Sequence, residues 1–76
     1  MNKRKILYRG LLFCKLNAYE KNFIIDLSLH PNTNLSQKQS DYLERIIIRI
    51  GKENVKVGIE KEINRIKLQK LYSYLD

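Results

Sequence analysis

The chain has one cysteine, one histidine, one proline, three glycines and no tryptophan in 76 residues. Each scarcity removes a class of protein. A single cysteine, Cys14, closes no disulfide within the chain, and with His30 as the sole histidine there is no ligand set for a structural zinc. A lone thiol suits a reducing compartment, so a cytoplasmic protein is expected. Nucleophilic catalysis through Ser or Cys needs a base beside the nucleophile. His30 stands directly before Pro31, where a helix ends and the ring caps it or faces solvent. The G-x-x-x-x-G-K-[ST], G-x-G-x-x-G and H-E-x-x-H motifs are all missing. Glu60 and Glu62 flank Lys61 and would point apart on a helix, so they make no Mg²⁺ cluster. No catalytic, cofactor-binding or metal-binding residue is expected, and the chain reads as a non-enzyme.

Long apolar runs are missing too. The patch in "ILYRGLLFCKL" is interrupted by Arg9, Gly10 and Lys15, which disqualifies it as a secretory core. A membrane span needs about 18 consecutive apolar residues, and no run approaches that. A soluble protein is expected, organised as one small helical domain over residues 1–76. A core of this size is marginal on its own. Close helix packing, a homodimer or a larger partner would have to supply the rest.

What the chain has is positive charge. Fifteen Lys and Arg stand against eight Asp and Glu, for a net charge of +7. Residues 1–15 hold Lys3, Arg4, Lys5, Arg9 and Lys15 with no acid, residues 16–51 balance, and residues 52–76 hold six bases and four acids. An excess at the two ends of the chain points to a polyanionic partner: nucleic acid, an acidic protein groove or an anionic membrane surface.

The hydrophobic pattern is helical for most of its length. Residues 3–16, "KRKILYRGLLFCKL", place Leu7, Leu11 and Cys14 at i, i+4, i+7. Gly10 weakens that helix by about 1 kcal/mol relative to alanine, and a hairpin turning at Arg9-Gly10 competes. Residues 17–30 open with Asn17 and Glu20 spaced as a capping box, with Tyr19, Phe23 and Leu27 on one side and Ile24 beside them. Ser36 and Gln39 repeat the box ahead of a helix over residues 37–50, whose stripe is Leu43, Ile46, Ile47 and Ile50 and whose end is Gly51. Asp41 and Arg45 stand at i, i+4 with the acid first, while Ile48 falls off the stripe. Residues 52–59 alternate apolar and polar around Gly58, which suits an extended connection, a first helical turn or a short strand. Residues 59–75 read as a last helix with a split stripe. Ile59, Ile63 and Ile66 share one face, and Leu68, Leu71, Tyr72 and Leu75 lie well around from it.

The expected fold is therefore mostly α, a small bundle of three or four short helices. The alternative is α+β, with a short strand near residues 54–59. The residues expected to meet nucleic acid or an acidic partner are Lys3, Arg4, Lys5 and Arg9, then Lys61, Arg65, Lys67 and Lys70, with Tyr8 as a base-stacking aromatic. Leu68, Leu71, Tyr72 and Leu75 are the expected hydrophobic interface. The expected role is docking on a nucleic-acid-handling protein complex, in the manner of a small phage or mobile-element inhibitor or regulator. The alternative is direct binding of DNA or RNA through salt-dependent phosphate contacts.

Overall fold

Three of the helices start where the chain supplies a side-chain acceptor for orphan amides. The computed structural model describes residues 2–75, and all of their side chains except those of Tyr72, Tyr74 and Leu75. Helix α1 (Lys3–Leu11) follows Asn2, whose Oδ1 accepts from the amides of Arg4 and Lys5. Helix α2 (Ala18–Leu29) follows Asn17, and helix α3 (Gln37–Ile50) follows Ser36. The latter two carry the full reciprocal capping box with Glu20 and Gln39. Helix α4 (Lys52–Leu75) starts one residue after α3 ends. That one residue, Gly51, has φ +91°, a conformation that side chains with a Cβ rarely adopt. The α3 box is isolated and solvent-facing, so Ser36→Ala should lower folding stability by about 1 kcal/mol, read as a shift in the thermal unfolding midpoint.

The bundle expected from the sequence is there, with four helices and no strand among the described residues. Two boundaries differ from the expectation. Helix α1 stops at Leu11, because the amides of Leu12, Phe13 and Cys14 bond three residues back, to Arg9, Gly10 and Leu11, and tighten the chain into a turn. Residues 52–59, expected as an extended connection, a first helical turn or a short strand, are helical and form the first two turns of α4. The alternation of Val55, Val57 and Ile59 therefore has no strand meaning. Val55 is in the core, Ile59 is half-buried, and Val57 faces out.

Helix α1 is the central element and packs against both α2 and α4. The core joins Tyr8 and Leu11 of α1, Ile24 and Leu27 of α2, Ile46 and Ile50 of α3, and Val55 of α4. Half-buried Leu43 and Ile47 complete the α3 stripe, and Ile48 is exposed, as its place off the stripe predicts. In α2 the buried face is shifted from the expected one. Glu20, Ile24, Leu27 and Ser28 turn inward and Tyr19 outward, while the Phe23 ring packs on Tyr42 of α3 at 4.8 Å between centroids. Asp41 takes a hydrogen bond from Gln37 at 2.9 Å rather than an ion pair with Arg45.

Helices α1 and α4 run antiparallel. Cys14 approaches the Asn54 carbonyl, Gly10 lies on Gly58 and Ile59, and Asn2 and Lys5 lie beside Gln69. The crossing is a glycine-on-glycine contact. A Cβ on Gly10 would stand 2.9 Å from the backbone Cα and N of Ile59, and a Cβ on Gly58 would overlap the Gly10 carbonyl oxygen. A 24-residue helix is about 36 Å long, so α4 outruns its partner and gives the molecule extents of 44 × 25 × 20 Å.

Candidate polyanion-binding surface

The antiparallel pairing puts the two charged ends of the chain together. The first turns of α1 carry Lys3, Arg4, Lys5 and Arg9, and they lie against the stretch of α4 that carries Arg65, Lys67 and Lys70. The loop after α2 closes the same end, where the Asn2 side-chain amide donates to Asn32 Oδ1 at 2.7 Å. That loop, residues 30–34, contributes no acid. Among the described residues of this end the acid in the α1/α4 groove is Glu62, and it is already committed. Arg65 Nε and Nη2 donate to its two carboxylate oxygens at 2.9 and 2.7 Å, and Glu62 is only 2% exposed. The bidentate hydrogen bonds from Arg65 hold the Glu62 carboxyl below the usual glutamate range. Burial opposes that shift, and the charges of Arg65, Arg9 and Lys5 reinforce it. Lys3, Arg4, Lys5 and Arg9 make no ion pair with any described acid.

Two grooves open beside the α1/α4 crossing. One runs from Asn2, Lys5 and Gln69, with a volume of about 360 Å³, past Arg9, Glu62 and Arg65 into a second hollow of about 320 Å³ lined by Leu12, Phe13 and Ser28. The other, about 380 Å³, is lined by Phe13, Cys14, Lys15, Arg49, Asn54 and Lys61 among others. Lys61 lines this second groove, one helical turn before Arg65 on the same side of α4. Burial raises the Cys14 thiol above its ordinary range, and the Lys61 charge offsets this in part, so the thiol is held in its neutral form.

The remaining buried carboxylate is structural. Glu20 accepts from the Asn17 amide at 2.9 Å and is paired with Arg49, which also donates to the Lys15 carbonyl at 2.9 Å. The Asn17 amide first, then Arg49, hold its pKa down against burial. This pair ties α3 to the start of α2 and to the turn after α1.

Tyr8 is not a stacking residue. It is 3% exposed and belongs to the core, with Leu11, Ile24, Leu27, Ile46, Ile50 and Val55. Phe13 is 46% exposed, in the turn that follows the end of α1. The four residues expected as a hydrophobic interface divide. Leu68 and Leu71 are 52% and 56% exposed and uncovered by the bundle. The side chains of Tyr72 and Leu75 lie outside the described residues. No described helix is long and apolar enough to cross a membrane, and no described group of His, Cys, Asp or Glu is clustered to hold a metal ion.

The fold and this surface define a small basic four-helix protein with one polybasic end. No family model, no curated protein and no solved structure matches the chain.

Proposed function

We propose that the chain is a non-catalytic binding protein that works on nucleic acid, with the polybasic end as its docking surface. The observation that supports this is the α1/α4 groove, where Lys5 and Arg9 stand beside a Glu62 carboxylate already neutralised by Arg65, with Lys3, Arg4, Lys67 and Lys70 on the adjoining turns of the two helices. Such a cluster attracts phosphates and displaces their counterions, which gives affinity with little sequence preference. The amides at the start of α1 are consumed by Asn2, so side chains would make the contacts. The test is the salt dependence of binding to generic DNA and RNA, followed by fluorescence anisotropy. Affinity should fall steeply with salt. The triple variant Lys3→Ala, Arg4→Ala, Lys5→Ala, which alters exposed residues only, should flatten the log–log slope by about 2 to 3. Binding that ignores both salt and the triple variant would refute the proposal.

A second reading has its own support. Leu68 and Leu71 are exposed on the flank of α4 away from α1, which suits docking on a nucleic-acid-handling protein complex as a regulator or inhibitor. That reading takes over if a partner captured after nuclease treatment survives the triple variant and is lost with Leu68→Ser, Leu71→Ser.

A further inference from the structure

We propose that the face centred on Phe13 binds single-stranded nucleic acid, with a base stacked on the Phe13 ring and the flanking phosphates held in the two grooves on either side of it. This rests on the nucleic-acid reading above and names the strand state the site takes. Phe13 lines both grooves. On one side it is followed by Arg9, and beyond that by Lys5; on the other side stand Lys15 and Lys61. Cationic side chains on both sides of an accessible aromatic ring are the arrangement by which proteins track a single strand, because every base has a stackable face and every step a phosphate. A duplex keeps its bases stacked inside and presents only its backbone, so it would use the cations and leave the ring idle. The ring is free for the role. It is the half-exposed residue of a turn and belongs neither to the core nor to the side chains packed on it.

The chain has no tryptophan, so Phe13→Trp puts a single tryptophan at the proposed stacking position, excited selectively beyond the absorption of the tyrosines. The full-length variant is titrated at low salt with a single-stranded oligonucleotide, the matching duplex and inorganic polyphosphate, and binding is followed in parallel by displacement of a labelled strand. The expected result is strong quenching by the single strand, little by the duplex and none by polyphosphate. Phe13→Ala should lose about tenfold in single-strand affinity, with its polyphosphate affinity unchanged. Displacement by all three without selective quenching would overturn the stacking site and leave the polyanion reading standing. Failure of all three to bind would overturn both.

Discussion

Gly58→Ala is expected to lower the unfolding midpoint by roughly 8–16 °C, although alanine is the better helix former. The added Cβ would overlap the Gly10 carbonyl oxygen and approach the Cys14 sulfur at 3.2 Å. A flexible side chain could swing away from it, but a helix carbonyl cannot, since moving it means moving α1. Overpacking of this kind costs about 3 kcal/mol at the upper end of its usual range. Alanine returns about 1 kcal/mol of helix propensity. The net of about 2 kcal/mol is a large fraction of the ~4–11 kcal/mol that a chain of this length commands, and each kcal/mol is worth about 4–8 °C. Gly10→Ala meets the Ile59 backbone at 2.9 Å and should behave alike. Because both changes push the same two helices apart, the double variant should lose less than the sum. Thermal unfolding by circular dichroism decides it. A midpoint at or above that of the parent chain would mean that propensity outweighs packing and that the crossing is looser than described.

These two glycines mark where sequence reading stops. In isolation Gly10 weakens a helix and Gly58 argues against one, and both inferences follow from sound local rules. What reverses them is a neighbour 48 positions away in the chain, and a periodicity within one helix carries no record of that neighbour. The capping boxes at Asn17 and Ser36, the stop at His30-Pro31 and the glycine end at Gly51 were all legible because each is a local contest between side chain and backbone. The split stripe of α4 was legible as a fact but not in its outcome. Its inner face meets α1, and Leu68 and Leu71 stay more than half exposed. The candidate surface divides in the same way. The bases could be counted from composition. Their gathering at one end required the antiparallel α1/α4 pairing. Phe13 could not be found beforehand, since its exposure depends on α1 ending two residues earlier at Leu11.

Glu62→Gln should weaken the fold while tightening its grip on phosphate. In the parent chain the carboxylate is buried and takes both of its hydrogen bonds from Arg65, whose side chain is 35% exposed. The substituted amide would keep the shape and lose the charge-assisted fork, which costs about 1–2 kcal/mol. Arg65, released from its counter-ion, would add its full charge to Lys5 and Arg9 and gain one phosphate contact. Affinity for a polyanion at low salt should rise several-fold, with a log–log salt slope steeper by about 1. Arg65→Met has the opposite effect on the surface and a larger effect on the fold. It strands a carboxylate that is 2% exposed. Breaking a fully buried pair costs about 3–5 kcal/mol, and the partial exposure of this one brings the expectation nearer to about 2 kcal/mol. The pH dependence fixes the cause. In the parent chain the Glu62 pKa is lowered, so its contribution is complete above the ordinary value of 4.5 and fades as pH falls through the folded-state pKa. In Arg65→Met burial is no longer opposed by the fork, so the pKa rises and the penalty is greatest at neutral pH. The stability gap between the two chains should therefore be widest near pH 7 and close below the ordinary glutamate value. A gap that stays constant across this range would assign the loss to the Arg65 side-chain packing on α4 rather than to the stranded charge.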